Sequence, residues 1–309
     1  MKVVALDAFD ATPTVRDDLP EPTATDEEIL VRVHASSANP VDNAIAAGLL
    51  KGMAEYDFPV TLGRDYAGVV EQVGASASGY AIGDEVYGFV PATNPTVRDG
   101  SWAELITVTP HMSIAPKPSS TDLTTAGVAA LAAIAAMAAV DGLDLSAGET
   151  VLVVGATGGV GSFAVQLATK AGAIVIAPAL PEDAEYLRSL GAVELPDRNA
   201  DIVATVREAY PDGVDALLDL VSYEPGVFDG VLGEGPRVAS SNGAAGNGPG
   251  RTNVMATPTP HNLRRLTGLL DAGTLKVHIE QTFDINDAAD ALRTLAATHV
   301  RGKIGIRVH

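Results

Sequence analysis

The chain has 309 residues, 47% of them apolar, with 39 acidic against 20 basic side chains, a net charge of −19 and no cysteine. That length is enough for two domains and a large core. A surface so acidic argues against nucleic acid and anionic membranes as partners, and the lack of cysteine excludes disulfides, thiolate metal sites and a cysteine nucleophile.

From the amino terminus, Met1-Lys2 is followed by VVALD, and Asp7 interrupts the run before the core of a leader peptide could form. The expected location is therefore the cytoplasm. Residues 1 to about 118 read as mostly β. Strands are expected at Lys2–Leu6, Ile29–Ala35, Tyr66–Val73, Glu85–Val90 and Trp102–Val108, separated by Gly, Pro and Asp turns. A short helix is expected at Asn39-Pro40, with Asn39 as cap and Pro40 in the first helical position. Ala115 to Ser120 (APKPSS) reads as a linker.

From Thr121 the texture changes to alternating helix and strand. A helix is expected over Thr121–Val140. Its uncharged part, Ala126 to Val140, is 15 residues long, short of the roughly 20 that cross a membrane. Further helices are expected at Pro181–Leu190 and Ala200–Tyr210, and strands at Val214–Leu220 and Arg237–Ser241. Such alternation implies a doubly wound parallel sheet. Asn242–Asn253 reads as a long flexible loop past a strand's carboxyl end, where such sheets bind ligands. The last fifty residues hold a helix (Asn262–Ala272), a strand near Val277–Phe283, a helix (Asn286–Ala297) and a strand (Gly302–Val308), which would return to complete the first domain.

The most informative stretch is ETVLVVGATGGVGSFAVQLATKAGA, Glu149 to Ala173. A valine-rich run at Thr150–Val154 predicts a parallel strand buried on both faces. It leads into Gly155, Gly158, Gly159 and Gly161, and then into a helix closed by Gly172. Strand, glycine turn and helix make an anion site, because the free N–H groups of the first turn and the helix dipole both favour a phosphate. Gly158 and Gly159 leave room for a pyrophosphate, and Gly161 lets the helix approach the strand. The spacing is GxxGxxG rather than GxGxxG. A glycine triplet alone also fits a turn that only reverses the chain, but the strand before, the helix after and a second strand at Ala173–Ala177 favour the dinucleotide. No GxxxxGK[ST] lysine is present, so a nucleoside triphosphate is not expected.

Several segments together resemble the zinc-free quinone oxidoreductases of the medium-chain dehydrogenase/reductase superfamily, the zeta-crystallin-like group. They are Asn39-Pro40-Val41-Asp42, FPVTLGRDYAGVVEQVG (Phe58–Gly74), GDEVYG (Gly83–Gly88), GSWAEL (Gly100–Leu105), GATGGVGSFAVQLA (Gly155–Ala168) and the closing RGKIGIRV. The resemblance covers nearly the whole chain. It implies an α/β protein with a GroES-like, mostly-β catalytic domain (1–118, completed by 257–309) and a Rossmann domain with a doubly wound parallel sheet (119–256). It also implies a cleft between them and a homodimer.

Zinc-dependent relatives place a histidine in a GHE motif where this chain has Gly63-Arg64-Asp65, and His34, His111, His261, His278, His299 and His309 are scattered without ligand spacing. No zinc is expected. That leaves hydride transfer to an already electrophilic carbon of a quinone or an α,β-unsaturated carbonyl, for which the protein orients the reactants and excludes water. Charge developing on the carbonyl oxygen needs a donor.

Four candidates for this work stand beside blander readings. Asn39 and Asp42 match the family's NPxD segment at the nicotinamide end, and helix capping accounts for them equally well. Arg64 would face the cleft and stabilise an enolate, or form a structural ion pair with Asp65. The tyrosines that relatives carry two or eight residues after the aspartate are here Ala44 and Leu50. Tyr56 would replace them as proton donor, or be an exposed loop residue with water giving the proton. Ala135-Ala136 stands where relatives have a threonine, which makes that contact apolar.

For the cofactor, the turn residues Gly155, Thr157, Gly158, Gly159, Val160 and Gly161 are expected to hold the pyrophosphate, and Ser240, Ser241 and Asn242 to line the nicotinamide end. The resemblance implies NADPH. The segment APALPEDAEY has no basic residue, so Arg188, one helical turn further on, and Arg198, in the loop after the next strand, are the candidates for the 2′-phosphate, with Arg198 otherwise a solvated surface side chain. If Glu182 binds a ribose hydroxyl instead, NADH would be accepted. Two other functions compete: an enoyl-thioester reductase, and a dinucleotide-binding protein with little catalysis.

Overall fold

The computed structural model describes residues 1–92, 98–297 and 299–309. Met1–Leu131, Thr257–Gly273 and Val277–His309 form one compact unit, and Ala132–Ala256 with Thr274–Lys276 form a second. In chain order the first unit begins with β1 (Val3–Leu6), β2 (Thr14–Arg16), β3 (Ile29–Ala38), α1 (Pro40–Ala46) and β4 (Val60–Thr61). It continues with β5 (Asp65–Val73), β6 (Glu85–Phe89), β7 (Leu105–Val108), β8 (Ala115–Pro116) and α2 (Leu123–Ala126). Helix α3 (Ala130–Leu143) leads into the second unit. There follow β9 (Thr150–Val154), α4 (Gly159–Lys170), β10 (Ile174–Ile176), α5 (Ala184–Leu190), α6 (Ile202–Ala209), β11 (Val214–Asp219), β12 (Leu232–Ser240) and β13 (Arg251–Asn253). The chain then supplies α7 (Pro260–Asp271), β14 (Ile279–Asp284), α8 (Ala288–Ala297) and β15 (Lys303–Arg307).

In the first unit β3 organises the larger sheet, ordered β14-β15-β3-β5-β6-β8. Its alternation of buried and half-buried residues is that of a strand with one covered face. Ten residues are long enough for β5 to take one edge while two strands share the other: β7 pairs with Ile29–Arg32 and β15 with Ala35–Ala38. The carboxyl-terminal strand thereby lies beside Ser36 and Ser37. A small antiparallel sheet, β2-β1-β4, completes the unit. Leu6, Ile29, Ile45, Leu62, Tyr66, Trp102, Ile304 and Ile306 belong to one buried cluster, so residues 3 to 308 contribute to a single core.

The second unit is a parallel sheet ordered β10-β9-β11-β12-β13. Beyond β10, isolated parallel bridges join Ile176 to Glu194 and Ala179 to Asp197, which extends the sheet by one more segment. The protein is α/β, with an antiparallel-sheet unit and a Rossmann-type unit.

Four local expectations are corrected. The helix expected over Thr121–Val140 is two, α2 and α3, because the chain turns at Gly127, where a side chain would meet the Ala35 carbonyl oxygen at 2.7 Å. The linker expected at Ala115 to Ser120 opens with a strand, Ala115 and Pro116 pairing with Tyr87 and Val86. Strand Trp102–Val108 begins only at Leu105, and the fully buried Trp102 donates its Nε1–H to the Ser37 carbonyl at 3.1 Å. The loop Asn242–Asn253 ends in β13, which pairs with β12 through residues 251–253.

Candidate functional site

In the second unit the polar groups cluster at the carboxyl ends of the strands. Val154, Asp219, Ser240 and Asn253 sit in register across β9, β11, β12 and β13, so the turns that follow are neighbours. The turn after β9 is built on two glycines where a side chain would be strained. Gly155 has φ +86°, a conformation other residues rarely adopt. A Cβ on Gly161 would stand 2.1 Å from the Gly155 carbonyl oxygen and 2.7 Å from Ala156 Cα. Gly158 differs: a Cβ there would meet nothing closer than 3.6 Å, so the protein itself does not demand glycine at that position.

Gly158 caps α4 without any side-chain hydrogen bond to the helix. The N–H groups of Gly159, Val160 and Gly161, the first turn of a twelve-residue helix, therefore point forward together with its positive end. Gly158, Gly159 and Val160 are half-exposed, whereas Thr157 is 7% exposed. Such a set of open N–H groups at a helix start is the kind of donor set that a phosphate uses.

Around the turn, the predicted residues divide. Ser240 is fully buried, and its Oγ accepts the N–H groups of Asn242 and Ala244 at 3.0 and 3.2 Å. Its hydroxyl shapes the next loop. Ser241 and Asn242 are half-buried, and Asn242 Nδ2 donates to the Leu220 carbonyl at 3.0 Å, joining the turns after β11 and β12. Asp219, which the sequence did not single out, does the same for the β11 turn: its Oδ1 accepts the N–H groups of Val221 and Ser222. Arg198 is exposed, and its N–H donates to the Ala179 carbonyl at 3.0 Å, three residues past the end of β10. Asp183 is fully buried, while Glu182 is exposed.

In the first unit three candidates lie in a buried ionic cluster. Asp42, Asp65, Arg64 and Lys303 are each 3% exposed or less. Asp42 Oδ2 accepts the Asn39 N–H at 2.8 Å and Oδ1 accepts the Gly63 N–H at 3.0 Å, which fixes the start of α1. Burial pushes the Asp42 carboxyl up to about 6, against the pull of Arg64 and of the Asn39 and Gly63 N–H groups, with Asp65 adding to the rise. Asn39 is 4% exposed. Its Nδ2 donates to Ser37 Oγ and Asp65 Oδ2, both at 3.0 Å, and its Oδ1 accepts from Lys303 Nζ.

The expected Arg64–Asp65 pair is corrected. Arg64 Nε lies 3.9 Å from Asp42 Oδ1, and its terminal nitrogens donate to the carbonyls of Thr61, Pro91 and Asp99. Burial lowers the pKa of the Arg64 guanidinium, and Asp42 opposes that shift. Asp65 binds Ser37 Oγ at 2.5 Å, Asn39, Lys303 at 3.5 Å and, through Oδ1, the N–H of Leu131 at 2.6 Å in the first turn of α3. The carboxylate thus sits at a helix N-terminus, where negative charge is favoured.

Tyr56 is half-buried rather than exposed. Its ring lies 4.7 Å from Phe9, edge to face, and 5.9 Å from Phe58, stacked. Burial raises its pKa.

Comparison with known proteins gives this geometry a lineage. Residues 25–119 match the alcohol dehydrogenase GroES-like domain family, and residues 190–304 match the zinc-binding dehydrogenase family. The chain is 31% identical over 289 residues to an NADPH-dependent alkenal/one oxidoreductase of Arabidopsis thaliana, covering 92% of this chain and 72% of that one. It is 30% identical to the 2-methylene-furan-3-one reductase of Solanum lycopersicum, covering 98% and 75%. The chain belongs to the medium-chain dehydrogenase/reductase superfamily, in its quinone oxidoreductase group. The solved quinone oxidoreductase from Coxiella burnetii superposes with a TM-score of 0.88 at 27% identity, covering 100% of this chain and 99% of that one.

Within that superfamily some members bind zinc, and the donors present here do not fit it. A buried guanidinium stands at position 64, the chain has no cysteine, and among the described residues no group of three or more His, Asp or Glu could hold a metal ion. No described helix is long and apolar enough to cross a membrane.

Sequence reasoning missed Lys303, Asp65 and Ser37 as members of the cluster. For Lys303 there was a signal: a lysine opening the strand KIGIR, beside isoleucines at 304 and 306 that mark it as a core strand.

Proposed function

We propose that this oxidoreductase uses NADPH to reduce the activated double bond of a quinone or an α,β-unsaturated carbonyl, without zinc. The second unit is the cofactor-binding one in this reading, and the first supplies the acceptor's surroundings. The observation that carries it is the uncapped N-terminus of α4 behind a turn where Gly158 keeps space that the protein does not fill. Gly159, Val160 and Gly161 would give their N–H groups to the pyrophosphate. Bound NADPH supplies a hydride to the electrophilic carbon.

Preference for NADPH over NADH is supported by what surrounds the end of β10. Ala177, Pro178 and Ala179 offer no carboxylate to a ribose 2′-hydroxyl, Asp183 is turned inward, and the backbone of Arg198 is held on Ala179. Ser241 and Asn242 would border the nicotinamide end, seated by Ser240 and Leu220.

Toward the acceptor, Asn39 and Asp42 act by holding the start of α1, since their polar atoms bond one another, Gly63, Ser37, Asp65 and Lys303. Arg64 gives its terminal donors to three carbonyls, so it braces the fold and leaves the enolate to other groups. Tyr56, in its aromatic cluster, is the side chain left as proton donor, with water as the other source. That the donors of Asn39 and the terminal donors of Arg64 are already engaged also favours a second reading, a dinucleotide-binding protein with little turnover. A homodimer and a cytoplasmic location complete the proposal, resting on the family and on the acidic composition.

Reduction of an alkenone with NADPH deuterated at the nicotinamide 4-position separates these readings. Deuterium on the carbon β to the carbonyl of the saturated product supports the reductase. NADPH binding without its oxidation by an alkenone or a quinone would favour the second reading.

A further inference from the structure

Lys303 takes no part in the contacts assigned above to the dinucleotide. It opens β15, is 3% exposed, and donates from Nζ to Asn39 Oδ1 while lying 3.5 Å from Asp65 Oδ2. At the other end of the same amide, Asn39 Nδ2 donates to Asp65 Oδ2 and Ser37 Oγ. The two ends of a primary amide are nearly equal in size and differ in whether they donate or accept. Packing alone therefore does not choose between its two orientations. Charge does. An ammonium has only donors and a carboxylate only acceptors, so a reversed Asn39 amide would set NH2 against Lys303 and oxygen against Asp65, away from water that could screen either clash.

Burying an ion pair is a poor way to add stability, because apolar side chains of similar volume often do as well or better. Methionine at 303 and asparagine at 65 would fill nearly the same space without charge, and the asparagine, its oxygen held by the Leu131 N–H, would turn an NH2 toward the Asn39 amide. What the charges add is direction. The segment they direct is already pinned by its backbone: Trp102 Nε1 donates to the Ser37 carbonyl, and the Asn39 N–H donates to Asp42.

We propose that Lys303 is a positioning residue for the reduction: with Asp65 it fixes the direction of the Asn39 side chain and so the seat of the turn into α1. This rests on the reductase reading above. The test compares the full-length protein with Lys303→Met, Asp65→Asn and the double variant Lys303→Met/Asp65→Asn. It records melting temperature, kcat and KM for NADPH-driven alkenone reduction, and the NMR signals of the Asn39 side-chain amide.

Each single variant strands a buried charge and melts earlier, and the double variant recovers most of that loss. Its kcat nonetheless stays at least about tenfold below that of the native protein, its KM for NADPH changes by less than about threefold, and its Asn39 amide signals report a reversed or a second orientation. A double variant with native kcat and one unshifted Asn39 amide pair overturns the proposal. If the native protein binds NADPH but reduces no acceptor, the reductase reading fails. The amide signals then decide the positioning role alone: a reversed or a second orientation in the double variant upholds it, and a single unshifted pair rejects it.

Discussion

The glycine turn of the second unit and the ionic cluster of the first use polar groups in opposite ways. After β9 the chain leaves donors open: α4 has no side-chain cap, and Gly158 to Val160 are half-exposed. Around α1 every charge is turned inward, with Asp42, Asp65, Arg64 and Lys303 almost wholly buried and bonded to one another or to backbone. An open helix end offers donors that the protein's own side chains do not take up. A closed cluster is a frame, and its function must pass through the geometry it imposes. The contrast also separates what a local motif encodes from what only folding assembles.

Distorting the glycine turn beneath the open end should have the largest effect. Gly161→Val would drive Cβ into the Gly155 carbonyl, 2.1 Å away, and is expected to weaken NADPH binding by on the order of 100-fold or more, read by nucleotide fluorescence. Retention of native affinity would mean that the turn is not the phosphate site.

Next in size is the closed cluster. Asp42→Ala removes the acceptor for the Asn39 and Gly63 N–H groups and leaves Arg64 unpaired, so a loss of about 3–5 kcal/mol in urea unfolding is expected. A loss below about 1 kcal/mol would show that Asp42 is not a frame residue.

Asp42 also predicts a pH dependence with a definite sign. Its folded carboxyl titrates near 6, above the ordinary 3.8, so between those values the folded state holds the proton more tightly than the unfolded chain. The contribution of this group to stability is therefore full below about pH 4, falls as the pH rises to about 6 and is flat above, a change of about 3 kcal/mol. Other carboxylates, such as Asp215 and Glu149, are shifted downward and impose the opposite slope. The measurable quantity is thus the unfolding free energy of the native protein minus that of Asp42→Asn. That difference should fall from pH 4 to pH 6. A rising difference would mean that the pairing with Arg64 outweighs burial.

The glycine turn was legible because its residues are consecutive. Strand, Gly155, Gly158, Gly161 and helix occupy one stretch of chain, and each residue's role follows from local geometry. The helix start at Asn39 was legible for the same reason, since Asp42, three positions on, accepts the Asn39 N–H, but the Asn39 side chain turns away from the helix to Ser37, Asp65 and Lys303. The cluster was not legible. Lys303 meets Asn39 across 264 positions, a contact that exists only because β15 pairs with the end of β3. Arg64 was assigned to its neighbour in sequence, Asp65, but successive residues of an extended chain point opposite ways. Asp65 accordingly faces Ser37 and Lys303, while Arg64 reaches Asp42 and the Thr61 carbonyl. The break between α2 and α3 escaped for a like reason, the close approach of Gly127 to Ala35. Residues of an open site can be read from their neighbours, whereas a frame is read from the register of strands.

Smaller effects sharpen the cofactor assignment. Arg198→Ala should raise the Kd for NADPH by about 10- to 100-fold through loss of charge-assisted hydrogen bonds to the 2′-phosphate, and leave NADH within about threefold. Equal effects on both would move the phosphate contact elsewhere. Ser240→Ala strips the loop of the acceptor for the Asn242 and Ala244 N–H groups and should lower stability by about 1–2 kcal/mol, with a smaller change in NADPH affinity.

The most direct test is a paired titration of the purified protein with NADPH and NADH, followed by nucleotide fluorescence. The open helix end of α4 predicts saturable binding of both, with NADPH the tighter. Binding of neither dinucleotide would contradict the assignment of the glycine turn, and with it the reductase.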